Sequence, residues 1–333
     1  MKTVTLRGVE IGTGRPKIIV PIVASTQAGI LEQAAELKTQ PLHMVEWRVD
    51  FYDSALDLPQ VLETLHKLRE VLEDIPILFT FRTQNEGGKK LPEPEDYVSI
   101  NTAAAQSGDA DAIDVEIFSG NDVVRRCISA AHVSGTAVVG SNHDFEKTPA
   151  KSDLIYRLRK MQDSGADIAK IAVTPHSAAD IITLLDATQE MHFCYAQCPI
   201  ITMSMSDGVI SRLCGEVFGS AMTFGMVGQA SAPGQIPADQ LQTVIDILHQ
   251  VLHPEEEEEE EGGNHARVFI QPDTQNCSAC WEALWSTASP QKCTTRPAPC
   301  WGWITTISPL MCRWTVWRPQ WRALRPWALK AST

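Results

Sequence analysis

The sequence predicts a (β/α)8 barrel, the TIM-barrel form of the α/β class, preceded by a short N-terminal hairpin. Three observations support this prediction. Eight short, largely apolar runs recur along the first 252 of the 333 residues. Each is followed by an amphipathic stretch, an alternation typical of a parallel sheet covered by helices. Each run is apolar on both faces, as a fully buried strand requires. Eight repeats in about 250 residues favour a closed barrel.

The predicted strands begin at regular intervals along the chain. They start at Lys17, His43, Ile75, Asp111, Thr136, Ala166, Pro199 and Ala221. Helical spacing is clearest in the segment from Leu58, where apolar residues recur every three or four positions. Ser177 and the pair Thr148-Pro149 are typical of helix starts. The opening segment VTLRGVEIG predicts a hairpin at the bottom of the barrel.

The net charge of the chain limits the kinds of molecule that it is expected to bind. The formal net charge is −13, which disfavours binding to nucleic acid or to an anionic membrane. The sequence contains no run of 18 apolar residues, so no transmembrane helix is predicted. The first residues lack the apolar stretch of a signal peptide. Four scattered cysteines in the first 252 residues form no disulfide pattern, which favours a reducing cytoplasm. An anionic substrate therefore requires a local basic pocket.

The composition changes abruptly after residue 252. Seven glutamates at 255–261 and two glycines follow, and the rest of the chain carries five of the nine cysteines and eight of the nine tryptophans. We expect three parts: a barrel at 1–252, an acidic linker at 253–263 and a disordered tail at 264–333.

The strongest candidate for chemistry is Lys170, in the sixth predicted strand. Desolvation disfavours its charge, and a neutral lysine attacks carbonyl groups to form an iminium. The position alone is equally compatible with a lysine that pairs with a carboxylate inside the barrel. His143, at the end of the fifth strand, favours the catalytic interpretation because histidine takes and returns a proton near neutral pH. Glu86, after the third strand, is placed to orient that imidazole.

Three arginines near strand ends predict the basic pocket. Arg212, after the seventh strand, offers a bidentate fork for a carboxylate. Arg48 and Arg82 are interpreted as ligands of substrate hydroxyls that also pair with Glu46 and neighbouring acids. The alternative, a ring of ion pairs that braces the barrel rim, is compatible with the same pattern.

These motifs resemble those of the type I 3-dehydroquinate dehydratases. The matching segments are EWRVD from Glu46, TFRTQNEGG from Thr80, DVEIF from Asp114, SNHDFEKTP from Ser141, DIAKIAVTP from Asp167, ITMSM from Ile201, GVISRLCGEVFGSAMTFG from Gly208 and ASAPGQI from Ala230. They follow the family order, and the resemblance covers about the first 252 residues.

The resemblance implies a hydro-lyase of the shikimate pathway that removes water from 3-dehydroquinate by syn elimination, giving 3-dehydroshikimate. It implies a Schiff base on Lys170, proton transfer by His143 and positioning of His143 by Glu86. The implied substrate ligands are Glu46, Arg48, Arg82 and Arg212, with Ser231 and Gln235 in a lid that excludes water. It also implies a homodimer that needs neither a metal nor an organic cofactor.

Two features depart from the family pattern. Pro21 stands where related members often have a serine, and proline offers no hydroxyl, so this position is left out of the predicted site. The segment MSDGVISR is one residue shorter than in close relatives, which predicts a tighter loop before Arg212.

Two other functions are compatible with parts of this pattern. A class I aldolase uses the same barrel and the same imine but cleaves a carbon–carbon bond. A barrel that has lost activity would serve only as a binding or scaffold protein. Conjugated-enone absorbance on addition of 3-dehydroquinate distinguishes a dehydratase from both.

Three interpretations apply to the tail. Cys277 and Cys280 are spaced for zinc, but the later cysteines form no second close pair. The tryptophans and arginines suit a membrane surface, but the prolines and the absent helical period argue against it. The third interpretation is a frameshift, and we favour it.

The frameshift interpretation rests on the codons that the tail permits. The codons of the tail can be read in a shifted frame, in which each new codon begins at the third base of an original one. From Asn276 onward, codon degeneracy permits this frame to encode LFGLLGSPVEHSVSPEMHNA. Across Trp303-Ile304 the shifted codon can encode only aspartate. The permitted text resembles the start of shikimate dehydrogenase. We therefore expect a frame change in the repetitive glutamate codons, in a gene that joins or overlaps a dehydratase and a shikimate dehydrogenase.

Overall fold

A computed structural model of the chain describes residues 1–228 and 230–254. Apart from His253 and Pro254, the predicted linker at 253–263 and the tail at 264–333 lie outside the described residues. Within the described part, none of the helices combines the length and the apolar character needed to span a bilayer.

The chain opens with the predicted hairpin, formed by β1 (Val4–Leu6) and β2 (Val9–Ile11), which pair antiparallel. Leu6 and Ile11 are buried against apolar residues that face the barrel interior, among them Ile19 and Met44. The hairpin therefore closes the bottom of the barrel, as predicted.

The eight predicted strands are all present, each beginning within two residues of its predicted start. In chain order the remaining elements are β3 (Lys17–Ile22), α1 (Gln27–Leu37), β4 (Met44–Arg48), α2 (Leu58–Leu72), β5 (Ile77–Thr80), α3 (Pro94–Gln106), β6 (Ala112–Glu116), α4 (Asn121–Val133), β7 (Ala137–Asp144), α5 (Lys151–Asp163), β8 (Ile168–Val173), α6 (Ala178–Glu190), β9 (Ile200–Ser204), α7 (Ile210–Leu213), α8 (Gly215–Phe218), β10 (Met222–Met226), β11 (Ile236–Pro237) and α9 (Ala238–Leu252).

The sheet closes on itself. Strands β3 to β9 pair in parallel in chain order, and β10 pairs with β3. Between β9 and β10 an isolated bridge joins Ile200 to Ser220, and the N–H of Ala221 donates to the carbonyl of Ile200 at 2.8 Å. β11 adds to β10 outside the ring. The predicted (β/α)8 barrel is thus confirmed.

Helix starts follow local side-chain chemistry. Asp57 caps α2 by accepting from the N–H of Gln60, and α2 buries Leu65 and Leu68 against the sheet. Ser177 caps α6 in a reciprocal box with Asp180, as its sequence predicts. The start predicted at Thr148-Pro149 is two residues early, since α5 begins at Lys151.

Successive side chains along each strand point to opposite faces of the sheet, so the buried residues form two groups. One set lies between the sheet and the helices and includes Trp47, Phe79 and Ile171. The other lies inside the barrel, where the lower part is apolar and the upper part carries charges. The buried charged groups at the upper end include Glu46, Arg48, Arg82, Glu86, Asp114, Glu116, Lys170 and Arg212. The mouth of the barrel is therefore the polar end.

Pro21 lies in β3 just past the point where the pairing with β10 ends. The N–H of Lys17 donates to β10 through Ala221, so odd-numbered residues of β3 direct their backbone nitrogens toward β10. The β3–β10 pairing ends at Ile19 and Phe224. The nitrogen of Pro21 lies beyond this last pair, where no ladder donor is needed.

Candidate active site

The residues predicted from the sequence surround one cavity of about 170 Å³ at the carboxyl ends of the strands. All nine line it: Glu46, Arg48, Arg82, Glu86, His143, Lys170, Arg212, Ser231 and Gln235. Sites for drug-sized ligands usually measure about 300–1,000 Å³, so this cavity suits a smaller metabolite.

Strand register sets the heights of the central groups. In the β7–β8 pair, Ser141 is opposite Lys170 and His143 is opposite Ala172. His143 therefore stands two residues nearer the mouth than Lys170, a rise of about 6.5 Å along the strand. Because β7 is the longest strand of the barrel, it carries His143 up to the rim.

Lys170 lies on the floor of the cavity and is 3 % exposed. Its Nζ is 3.5 Å from Oε1 of Glu46 and 3.5 Å from Oδ2 of Asp114. It also lies 4.4 Å from the centre of the Phe224 ring. Of the two interpretations of this lysine, the buried ion pair is thus present in the free protein. It does not exclude the catalytic one, because the amine also faces the cavity.

Asp114 belongs to a buried network around Arg82. Arg82 donates to Asp114 at 2.7 Å, to Glu116 at 3.0 Å and to the hydroxyl of Ser141 at 2.9 Å. Burial alone would raise the pKa of Asp114, but the charges of Arg82 and Lys170 outweigh it and hold this pKa below its usual range. Asp114 and Glu116 were not among the predicted site residues, although two acids alternating in an apolar strand are a visible signal.

Glu86 returns to the rim through a short 3-10 turn, Gln84–Glu86, which ends at Gly87. Its Oε2 lies 2.9 Å from Nδ1 of His143 and accepts from the backbone N–H of His143 at 2.9 Å. Its Oε1 accepts from the side-chain amide of Asn142 at 3.0 Å. Burial raises the pKa of Glu86 above its usual range, although the charge of Arg82 opposes the rise. The contacts with Asn142 and with the backbone of His143 fix the position of Glu86, and its contact with Nδ1 holds the imidazole with Nε2 pointing away from Glu86.

Gly87 permits an aromatic cover over this pair. Its φ is +82°, and a Cβ at this position would meet the ring of Phe145 at 2.3 Å. The Phe145 ring stacks on His143 with 21° between planes and 6.5 Å between centroids. Phe145 also lines the cavity and was missed from the sequence, because its role depends on a glycine 58 positions earlier in the chain.

Arg48 takes a different partner from the one predicted. A 3-10 turn, Val49–Phe51, follows β4 and brings Asp50 back against the guanidinium. Arg48 binds both oxygens of Asp50, at 2.8 and 2.9 Å, and lies 5.0 Å from the Phe51 ring. The expected pair with Glu46 is therefore wrong, and Glu46 instead accepts from the hydroxyl of Thr80 at 2.9 Å.

Arg212 differs from the other two arginines. It is 2 % exposed, and among the described residues it makes no ion pair and its Nε has no hydrogen-bond partner. Its Nη2 donates to the carbonyl of Pro233 at 3.3 Å, and its Nη1 lies 3.6 Å from the sulfur of Met203. Burial lowers the pKa of Arg212 to about 10. The alternative interpretation, in which arginines brace the rim through ion pairs, therefore applies to Arg48 and Arg82. Arg212 is instead placed to bind an anion.

The segment after β10 folds over the mouth. Gln235 accepts from the N–H of Ser231 at 2.7 Å and donates to its hydroxyl at 3.0 Å. The carbonyl of Pro233 accepts from Ser206 N–H at 3.2 Å as well as from Arg212. Ser231 and Gln235 therefore stabilise one compact turn, which we call the cover loop (residues 230–235).

Replacing Arg212 with methionine should weaken substrate binding and stabilise the fold. A charge-assisted pair with a substrate carboxylate contributes roughly 2–3 kcal/mol, so KM should rise roughly 100-fold. Removal of a buried charge that lacks a counter-ion should raise the free energy of unfolding by about 1–3 kcal/mol. Steady-state kinetics and urea unfolding test both effects. An unchanged KM would contradict the assignment.

The pH profile should extend further into acid than an ordinary histidine allows. Burial lowers the pKa of His143 well below its usual range, and the charges of Arg82 and Lys170 add to the effect. The neutral, basic form therefore persists as the pH falls. A histidine of pKa about 6.5 would be only about one-quarter neutral at pH 6. We expect kcat/KM at pH 6 to stay within about twofold of its value at pH 7.5. An acid limb centred at pH 6.5 or above would contradict this.

Comparison with known proteins identifies the family of this chain. The family model of type I 3-dehydroquinase matches residues 18–251. The 3-dehydroquinate dehydratase of Salmonella agona is 51 % identical over 251 residues, which cover 75 % of this chain and 100 % of that protein. That of Clostridioides difficile is 47 % identical over 253 residues, covering 76 % and 99 %.

A solved structure agrees with the sequence comparisons. The Clostridium difficile type I 3-dehydroquinate dehydratase, crystallised with covalently modified comenic acid, gives a TM-score of 0.74 at 47 % identity, covering 75 % of this chain and 99 % of that one. The predicted dehydratase activity, that of a hydro-lyase in the shikimate pathway, is confirmed by these relatives. With the family model, the curated relatives and the fold in agreement, the chain belongs to the type I 3-dehydroquinase family.

Proposed function

We propose that this chain dehydrates 3-dehydroquinate through an iminium on Lys170. The observation that carries the proposal is the vertical order of groups in one small cavity. The amine of Lys170 lies on the floor, the pair of His143 and Glu86 lies above it, and Arg212, without a counter-ion among the described residues, lies at the side. This order matches a substrate with a ketone at one end and a carboxylate at the other.

The reaction begins at Lys170. After the ammonium gives up a proton, the neutral amine adds to the substrate ketone. The ketone oxygen takes up that proton and one from the nitrogen and leaves as water, so ammonium and ketone together give an iminium and one water molecule. Asp114 and Glu46, each 3.5 Å from Nζ, stabilise that cation. The iminium accepts electrons from the adjacent carbon, so a proton on that carbon becomes acidic.

His143 then transfers the proton. Its Nε2 removes the proton from the adjacent carbon, which leaves an enamine on Lys170. The enamine expels the ring hydroxyl, and the same imidazole returns the proton to that oxygen as it departs, so the elimination is syn. Water then hydrolyses the iminium and releases 3-dehydroshikimate and the free lysine. Glu86 acts as a positioning residue because it fixes the imidazole through Nδ1.

The remaining site residues bind the substrate. Arg212 binds the carboxylate, Arg48 and Arg82 bind ring hydroxyls from the rim, and Glu46 binds a ring hydroxyl near the floor, beside Lys170. Arg82 and Arg48 are already held by acids, so they offer their remaining donors without a large rearrangement. The cover loop with Ser231 and Gln235 closes above the ring and keeps bulk water from the iminium.

Borohydride trapping tests the proposal. The full chain is treated with sodium borohydride in the presence and absence of 3-dehydroquinate, digested, and analysed by peptide mass spectrometry. We expect a stable adduct on the peptide that contains Lys170 only when substrate is present. Turnover without a trapped adduct would exclude the Schiff base.

We propose that the chain acts as a homodimer in the cytoplasm. Cys127, Cys198 and Cys214 are free thiols, whereas Cys194 is disulfide-bonded. The cytoplasmic location therefore rests on the sequence, in which the four cysteines of the barrel form no disulfide pattern. The homodimer rests on the family resemblance alone. Light scattering after size-exclusion chromatography measures the mass directly, and a monomeric mass at working concentration would contradict it.

We also propose that the barrel ends at residue 252 and that residues 264–333 arise from a frame change in the glutamate codons. The support is the shifted reading from Asn276, which resembles shikimate dehydrogenase in a dehydratase gene. Sequencing of the DNA across codons 255–261 tests it. A confirmed frame with no dehydrogenase sequence downstream would contradict it.

A further inference from the structure

A second group of chemically active side chains lies where α8 meets the end of α9. Glu216 is on α8, His249 is in the last turn of α9, and His253 follows it. One ligand atom from each lies within 4.8 Å of the others. None of the three lines the active-site cavity. The dehydration chemistry therefore leaves this group without a role.

We propose that Glu216, His249 and His253 bind a divalent transition-metal ion of the zinc class. Two imidazoles and one carboxylate form a donor set that suits such ions. His249 and His253 are four residues apart, so they lie one above the other on one side of the helix end. Glu216 faces them from a different helix, and an ion held by all three would join α8 to α9.

The spacing of the ligand atoms is close to that of a metal site. Oε1 of Glu216 is 2.6 Å from Nδ1 of His249 and 3.0 Å from Nε2 of His253. Donors about 2.0 Å from a tetrahedral zinc ion lie roughly 3.3 Å from one another. Both nitrogens already point at one carboxylate oxygen, so movements of less than about 1 Å make room for the ion.

Two further observations favour a ligand at this place. The second oxygen of Glu216, Oε2, is buried and has no hydrogen-bond partner among the described residues. A cavity of about 440 Å³, lined by both histidines together with Lys17, His43 and Gln242, gives access from solvent. Arg15 lines it too, but its charge is balanced by Asp246 at 2.9 Å. Oε2 can complete the coordination, or water can enter through the cavity to do so.

A bound metal ion would raise the free energy of unfolding and would take no part in the dehydration reaction. An ion that binds only the folded chain raises its stability as the ion concentration exceeds Kd. The last helix follows the cover loop through β11, so the ion would fix α9 at the end farther from that loop. We therefore expect a shift in Tm and no change in kcat.

Zinc titration of the full chain tests the site. For this experiment the chain is produced without an affinity tag, and bound metal is removed with a chelator. Its thiols are alkylated so that cysteine side chains do not bind zinc. Calorimetry should then show one Zn²⁺ site per chain, and Zn²⁺ should raise Tm. His253→Gln and Glu216→Gln should each weaken binding at least tenfold and remove the shift in Tm.

His66→Gln is the matched control. His66 is also a surface histidine beside two carboxylates, with Nδ1 3.3 Å from Asp109 and Nε2 3.8 Å from Glu70. Its loss should leave zinc affinity unchanged. The side chain of His253 is 42 % exposed, so its replacement should not prevent folding. Absence of binding to the parent chain, or equal binding by the parent, His253→Gln and Glu216→Gln, would overturn the proposal.

Discussion

Replacing Lys170 with methionine is expected to lower kcat by on the order of 10⁵-fold, because it removes the nucleophile on which every later step depends. Methionine is similar in length to lysine, so the floor of the cavity stays filled. The acids that lose this cation keep other donors, Arg82 for Asp114 and Thr80 for Glu46. The fold should therefore persist while turnover stops.

Enone absorbance measures the turnover, and circular dichroism and Tm check the fold. Lys170→Arg serves as the charge-preserving control, since guanidinium retains a cation near Asp114 but does not form an imine. Both variants should be inactive and should give no borohydride adduct. A kcat within tenfold of the parent in either variant would show that the iminium is not required.

Replacing His143 with alanine is expected to lower kcat by about 10³–10⁴-fold while leaving iminium formation possible. Lys170 is untouched, so borohydride should still trap substrate on its peptide. Loss of turnover together with a retained borohydride adduct would show that His143 transfers the proton and is not needed for the covalent bond to Lys170.

Glu86→Gln is the graded comparison for His143→Ala. Glutamine keeps the size of the side chain but puts an amide in place of the carboxyl group that contacts Nδ1 of His143. We expect a fall in kcat of about 10–100-fold, smaller than for His143→Ala, because the base itself remains. Loss of trapping in His143→Ala, or equal losses of activity in the two variants, would contradict these roles.

The barrel and the site positions could be predicted from sequence because both depend on strand ends. Parallel strands bring their carboxyl ends to one rim, so charged residues at or just after those ends, such as Arg48 and Arg82, had to converge. The burial of each strand was equally visible, since a strand covered on both faces must be apolar along its length.

The pairing among those charges could not be predicted, because it depends on turns and on strand stagger. Asp50 reaches Arg48 only because the chain reverses in a 3-10 turn immediately after β4. The contact of Asp114 with Lys170 depends on their relative heights in the barrel, which alternation of side chains does not specify. The Glu216–His249 contact joins two helices whose facing sides were not assigned.

The state of Arg212 has a practical consequence for how this enzyme is assayed. Among the described residues, this buried guanidinium is held only by a backbone carbonyl and a sulfur atom, so it attracts small anions that fit the cavity. Phosphate and sulfate, like a carboxylate, present two oxygens that a guanidinium binds in bidentate fashion. Such buffer ions would compete with substrate and leave the bound complex unchanged. Rates measured in phosphate and in an amine buffer at equal ionic strength should therefore differ in KM and agree in kcat.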